Sequence, residues 1–235
     1  MDRANTELIT FHGWGFSPNV WEGWESILPS AVRFIHADRG YFGPPCKPSF
    51  SESSGRKVLL THSFGLHWCP AGLLAEADHL VVLSGFLDFH PAATEENRRS
   101  RLVLRQMLSR FVEKPGEVLR MFYKNAFSPD KVTSEEFPGT FNHDNLLSDL
   151  DILGTSRLNP EKLLRVPGIT FIHGEADEVV SNTKGRSMYA DLQDNSQYFE
   201  IKQAGHCVPF THAEQCYRFL KPALGLHLGK RIRNT

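Results

Sequence analysis

An open, mostly parallel α/β sheet is the architecture this sequence predicts, and two observations predict it. Six short, continuously apolar or β-branched runs recur along the chain: "ELITFHG", "VRFIHAD", "KVLLTHS", "HLVVLSG", "GITFIHG" and "QYFEIKQ". Each is too short for a helix and stops at a small or polar residue. Unbroken apolarity, as opposed to alternation, suits strands covered on both faces. Between them lie stretches of helical periodicity, clearest in "VWEGWESIL", "GLLAEA", "GRSMYADL" and "AEQCYRFLKPAL". Strand-helix alternation of this kind builds parallel sheets with right-handed crossovers.

One region breaks the alternation. From Asp88 to Leu158 no convincing strand is present, and "NRRSRLVLRQMLSRFVEK" and "GEVLRMFYKNAF" read as amphipathic helices parted by Pro115-Gly116. Leu104, Met107, Leu108 and Phe111 share one face by their three-and-four spacing. Residues 88–158 are therefore expected to form a helical lid inserted over one end of the sheet. The core would comprise residues 1–87 and 159–235.

Composition narrows the function classes. Of the 235 residues 40% are hydrophobic and 23% charged, which is enough for one packed domain and unlike a disordered chain. A net charge of −1 argues against bulk attraction to nucleic acid or an anionic membrane. Residues 1–6 show no basic-then-apolar leader, and no apolar run approaches a membrane span. Cys46, Cys69, Cys207 and Cys216 lack C-x-x-C spacing, so reduced thiols in a cytoplasmic protein are expected. The 11 histidines include no H-E-x-x-H, and neither G-x-G-x-x-G nor a Walker loop occurs. No metal or cofactor is expected, and the chain is read as a monomer.

In an open parallel sheet, chemistry gathers beyond the carboxyl ends of the strands. Four loops fall there: "HGWGFSPNVW", "THSFG", "HGEADEVV" and "AGHCVPF". They present Ser63, Asp177 and His206 in the order serine, acid, histidine. A serine hydroxyl is a weak nucleophile until a neutral imidazole accepts its proton, and that imidazole needs a carboxylate to hold its tautomer. A sharp strand-to-helix turn would lift Ser63 above the sheet. A helix beginning near Phe64 would aim amides at a developing oxyanion, with the Trp14 amide of "HGWG" as the second donor. Glu175 and Glu178 compete with Asp177 for the acid's place, but the spacing from His173-Gly174 favours Asp177. Thr61 stands where a nucleophile elbow ordinarily has glycine; a side chain there crowds the turn, but threonine is small enough that it is expected to be tolerated at a modest penalty. His62 and His67 are near enough in sequence to reach the site, although packing or solvent exposure is the preferred reading of both.

These motifs resemble the α/β-hydrolase family over nearly the whole chain outside the insertion. Within it, "HGWGFSPNVW", "ADRGYFG", the stretch from Leu146 to Val180 and "AGHCVPFTHAEQCYRFL" are most similar to the pimeloyl-acyl-carrier-protein methyl ester esterases of biotin synthesis. The resemblance implies an α/β-hydrolase fold with Ser63 as nucleophile, His206 as general base and Asp177 as its orienter. It implies the Trp14 and Phe64 amides as oxyanion hole. It also implies a serine carboxylesterase whose partner is an acyl-carrier protein bearing a pimeloyl methyl ester. The chain starts at the strand before "HGWG", so the family's leading hairpin is expected to be missing. The short, Pro- and Ser-rich stretch from Gly43 to Arg56 is expected to leave one crossover helix reduced.

The insertion holds a local basic patch of Arg98, Arg99, Arg101, Arg105, Arg110, Lys114, Arg120 and Lys124, faced by Glu113 and Glu117. Arg101 with Arg105, and Arg120 with Lys124, share helix faces at a spacing where like charges repel by a few tenths of a kcal/mol. These four are the candidate contacts for an acidic carrier and its phosphate. Trp14, Phe111, Met121 and Phe122 are the candidate lining of an acyl channel. Two alternatives stay open: a broader short-chain acyl esterase or thioesterase, and a hydrolase-like binding protein with weak chemistry.

Overall fold

The computed structural model of the chain describes residues 6–130 and 140–225. The opening residues, where a leader would lie, and residues 131–139 of the insertion are outside the described part. All six apolar runs become strands: β1 (Thr6–Phe11), β2 (Val32–Ala37), β3 (Arg56–His62), β4 (His79–Leu83), β5 (Ile169–Gly174) and β6 (Ser196–Ile201). They form one sheet of order β2-β1-β3-β4-β5-β6, and every neighbouring pair is parallel. Continuous apolarity has its expected cause. Leu8, Leu60, Val81 and Ile172 pack on one face, and Ile9, Leu59, Leu80 and Phe171 on the other.

The helices follow in chain order: α1 (Trp24–Ile27), α2 (Gly65–Trp68), α3 (Ala71–Glu76), α4 (Thr94–Glu113), α5 (Pro115–Phe127), α6 (His143–Leu153), α7 (Pro160–Leu163), α8 (Asn182–Asp191), α9 (Val208–Thr211) and α10 (Ala213–Leu220). The stretch "VWEGWESIL" is not one helix. It is a 3₁₀ turn over Pro18–Trp21 followed by α1, because Gly23 sits in the left-handed region at φ +85° and interrupts the hydrogen-bond ladder. Between β2 and β3 there is no helix, only an isolated bridge from Asp38 to Cys46. Cys46 is exposed, Cys69, Cys207 and Cys216 are buried, and all four are free thiols. Among the described residues, no helix is long and apolar enough to cross a membrane.

Helices α4, α5 and α6 lie between β4 and β5 and bury a third apolar cluster that includes Leu104, Phe111, Leu119, Leu146 and Leu150. Helix α6 escaped the periodicity reading. Its start is set by Asn142, whose side chain accepts a hydrogen bond from the Asn145 amide.

The insertion is fastened to the sheet by a buried polar clamp. Arg39, just beyond β2, donates to both carboxylate oxygens of Asp149 on α6, at 2.6 and 2.7 Å. The Tyr41 hydroxyl donates to the same carboxylate at 2.6 Å. Asp149 is 1% exposed, whereas the Arg39 side chain is 35% exposed. That asymmetry predicts unequal mutants. Arg39→Ala strands a buried carboxylate and should cost about 3–5 kcal/mol, whereas Asp149→Ala leaves an arginine that can turn to water and should cost less. Urea denaturation midpoints of the two variants test the order, and equal losses would contradict it.

Candidate active site

The loops after β1, β3, β5 and β6 all open on the carboxyl edge of the sheet, because every strand runs the same way. Strand order reverses at β1, whose neighbours are β2 and β3, so the β1 and β3 loops flank the switch point. The first of these loops carries Trp14 and the second Ser63.

Ser63 adopts φ +53°, a left-handed conformation that costs a non-glycine residue about 1–3 kcal/mol. The turn is held from both sides. The Ser63 amide donates to the Leu83 carbonyl at the end of β4 at 2.9 Å. Two residues on, Gly65 passes so close to β1 that any Cβ would collide with the Phe11 carbonyl. Glycine is therefore required after the serine. Before it, Thr61 is accommodated: it lies within β3, fully buried, and its hydroxyl donates to the Val81 carbonyl at 3.3 Å. The tolerance expected at Thr61 has a local cause: the residue is still in extended strand and the turn begins after it.

The helix expected to start near Phe64 is a single turn, α2, which ends before Pro70. A one-turn helix has little macrodipole, so any oxyanion donor here acts as an individual amide. The Trp68 indole N–H donates to the His12 carbonyl at 2.9 Å and pins this short helix to the end of β1. Among the described residues neither the Trp14 nor the Phe64 amide donates a hydrogen bond. Both residues border the same cavity as Ser63.

Ser63, His206 and Asp177 meet. The Ser63 Oγ is 2.9 Å from His206 Nε2, and His206 Nδ1 is 2.8 Å from Asp177 Oδ2. All three are buried, at 7%, 0% and 9% exposure. The carboxylate acceptor requires the proton on Nδ1, which leaves Nε2 free to accept from serine. Asp177 Oδ1 accepts the amides of Val179 and Val180 at 2.9 and 2.8 Å. Burial by itself would raise the Asp177 carboxyl, but His206 and His173 outweigh it and hold the group below the ordinary carboxylate range. His173 Nε2 lies 2.8 Å from the Val180 carbonyl and 3.2 Å from Asp177 Oδ2. This histidine stands beside the acid and was not singled out as a site residue; its place in the "HG" before the acid loop was the available signal. Glu175 and Glu178 are not part of the contact chain to His206: the Glu175 carboxylate accepts from the Gln203 amide at 3.3 Å.

The cavity above Ser63 holds about 80 Å³. Its walls are apolar: Trp14, Phe64, Phe86, Phe89, Leu104, Met107, Phe122, Leu150, Leu153 and Val179 among them. Of the expected channel residues, Trp14 and Phe122 line it. Phe111 does not; it is fully buried behind Trp14, with ring centroids 5.9 Å apart. Met121 is 56% exposed and turned to solvent, because the buried face of α5 runs through Val118, Leu119, Phe122 and Ala126 and bypasses position 121. Phe86, Phe89, Leu150 and Leu153 were missed, since only the folded packing of the post-β4 segment and α6 brings them here.

The basic residues divide. Arg101 is partly buried and bonded to Asn97 at 2.8 Å and to the Gly154 carbonyl at 3.4 Å, so it serves the packing of α4. Arg120 donates to the Gly116 carbonyl at 3.1 Å and stays exposed. Arg110 and Lys114 both pair with Glu117, at 2.8 and 3.2 Å. Arg105 and Lys124 are exposed and have no ion pair among the described residues. His67 is occupied structurally: its Nε2 donates to the Phe86 carbonyl at 3.0 Å and its Nδ1 lies 2.6 Å from the Ser156 hydroxyl.

No protein-family model matches the chain, and no curated protein matches it. Solved structures do. A bromoperoxidase from Bacillus anthracis superimposes with a TM-score of 0.72 at 18% identity, covering 94% of this chain and 92% of that one. An esterase from Exiguobacterium antarcticum gives 0.74 at 14% identity, with 94% and 92% covered. An enol-lactonase from Burkholderia xenovorans LB400 gives 0.73 at 14% identity, with 94% and 91% covered. At such identities the likeness is one of fold, and together with the parallel sheet and its inserted helices it shows that this chain has the α/β-hydrolase fold.

Proposed function

We propose that the chain is a serine-dependent carboxylic ester hydrolase, and the observation that carries this reading is the unbroken Ser63–His206–Asp177 contact chain at the floor of an apolar cavity. Ser63 Oγ attacks the ester carbonyl carbon while His206 Nε2 takes its proton. The carbonyl oxygen gains the charge and is received by the Trp14 and Phe64 amides. The tetrahedral adduct collapses, breaking the bond to the alkoxy oxygen, and His206 returns the proton to the departing alcohol. A water molecule, deprotonated by His206, then attacks the acyl-serine. Collapse of the second adduct frees the acid and restores Ser63. Asp177 stays ionised throughout and stabilises the imidazolium. Esterases and an enol-lactonase among the structural neighbours agree with acyl transfer.

The narrower substrate we propose is the methyl ester of a pimeloyl group carried on acyl-carrier protein. The loop resemblances support it, and so does the exposure of Arg105, Arg120 and Lys124 on the inserted helices, where an acidic carrier could dock. A second reading, a broader short-chain esterase, is favoured by the cavity. Its 80 Å³ equals about five to eight water-sized volumes at about 10–15 Å³ each, room for a short acyl chain.

Three outcomes are expected. A fluorophosphonate should label the protein and fail to label Ser63→Ala, and Asp177→Asn should lower kcat by about four orders of magnitude; a labelled Ser63→Ala protein would remove the nucleophile. On the acid limb kcat/KM should fall about tenfold per pH unit along one step, because the base must be neutral while Asp177, held below the ordinary carboxylate range, remains charged. A two-step acid limb in the pH profile would show a second group titrating. Finally, Arg105→Glu combined with Lys124→Glu should raise KM for the carrier-bound methyl ester about tenfold or more, since reversed charges oppose an acidic partner. The same variant should leave hydrolysis of soluble butyrate esters unchanged. Equal kinetics on the carrier-bound ester would favour the short-chain reading.

A further inference from the structure

The nucleophile is preceded by a histidine that the mechanism above does not use. His62, the last residue of β3, is 0% exposed. Its Nε2 lies 3.1 Å from the main-chain carbonyl oxygen of His206. A carbonyl can only accept, so His62 carries its proton on Nε2 and donates it. Its other nitrogen, Nδ1, is buried and has no hydrogen-bond partner among the described residues. A side chain at position 13 would put its Cβ 3.3 Å from that nitrogen. The rings of His62 and His206 are 5.0 Å apart, and the Phe16 ring meets His62 edge-on at 5.2 Å.

Leaving a buried polar atom without a partner is costly, so a residue chosen for packing alone would be apolar here. The retained imidazole does one thing a phenyl ring could not: it donates to the carbonyl of the residue next along the contact chain. We propose that His62 is a positioning residue that fixes the main chain of His206 against the nucleophile's own strand. Ser63 and His206 are thereby joined twice, once through their side chains and once through the neighbouring residue. Burial first, and then the nearness of His206, press the His62 imidazole well below its ordinary range. It stays neutral, neither competing as a base nor adding a second positive charge when His206 accepts the serine proton.

The test compares three variants of the full chain. His62→Gln keeps a donor within reach of the carbonyl, His62→Phe keeps a ring without a donor, and His62→Ala removes the donor without adding bulk. The kinetic readout rests on the ester-hydrolase reading. The Nδ1–H proton shared by His206 and Asp177, followed by NMR, does not. In His62→Phe and His62→Ala, kcat should fall by about 10²-fold with KM within about threefold, the size expected for a base displaced by about an ångström. The NMR proton should shift or broaden in both. His62→Gln should recover most of kcat and the wild-type proton signal. Equal loss in all three variants, or an unchanged proton signal in all three, would overturn the proposal. A normal proton response in a protein that hydrolyses no ester would leave His62 in this role and remove the ester reading alone.

Discussion

The site depends on a backbone constraint at one residue. Ser63 can stand clear of the sheet only if the chain reverses within a single residue, and that reversal forces φ to +53°. A free peptide would relax it. Here the Ser63 amide is already committed to the Leu83 carbonyl, and the missing side chain at Gly65 lets α2 press against the end of β1. The strain is therefore carried by the sheet, whose central strands β1, β3 and β4 are buried on both faces. A parallel sheet suits the purpose because all four chemical loops leave the same edge, and each loop needs to move its side chain only a short distance to meet the others.

The inserted helices are tied to the chemistry as well as to the core. The Trp14 indole donates to the Leu146 carbonyl of α6 at 2.8 Å, and the Tyr123 hydroxyl of α5 donates to the Gly15 carbonyl. Both contacts land on the loop that would supply an oxyanion amide. On the other side, the Cys207 amide donates to the Ala126 carbonyl of α5 at 3.0 Å, one residue after the imidazole. A shift of α5 would thus reach the Trp14 loop and the His206 loop together. The Arg39–Asp149–Tyr41 clamp opposes such a shift, and being buried and charge-assisted it yields less readily than a surface pair.

Much of this was legible along the chain. All six strands were, because a strand buried on both faces leaves an unbroken apolar run that needs no tertiary information. The convergence of Ser63, Asp177 and His206 was readable as an order of loops, since each loop follows a strand and all strands end on one edge. What escaped depended on packing between distant segments. Helix α6 has its start marked by Asn142, but its apolar residues alternate with Asp149 and Asp151, and only the clamp with Arg39 explains a buried aspartate there. Met121 was misplaced because α5 is apolar over more than half its surface, so periodicity does not say which face turns inward. The one-turn length of α2 was hidden as well: "GLHW" is compatible with a longer helix, and the stop at Pro70 is local, yet tryptophan bonding to the His12 carbonyl is a tertiary event.

Chemistry and selection are drawn from different parts of the molecule. The reacting groups come from loops fixed by the sheet, where a single change of residue type removes a function. The cavity walls come from five sources: the "HGWG" loop, Phe64 beside the serine, the segment after β4 with Phe86 and Phe89, the inserted helices with Leu104, Met107, Phe122, Leu150 and Leu153, and Val179 in the loop after β5. These are apolar side chains of adjustable size, and exchanging one for another changes the room available to an acyl chain at a cost of about 1–3 kcal/mol in packing. The helices can therefore alter the shape of the cavity while Ser63, His206 and Asp177 keep their distances. That freedom ends at Trp14. Its ring walls the cavity, its indole N–H holds α6, and its own amide is the donor proposed for the oxyanion. On the proposed ester-hydrolase reading, a change there would alter the cavity wall and the proposed oxyanion donor at once, which makes Trp14 the residue through which selection and rate would be coupled.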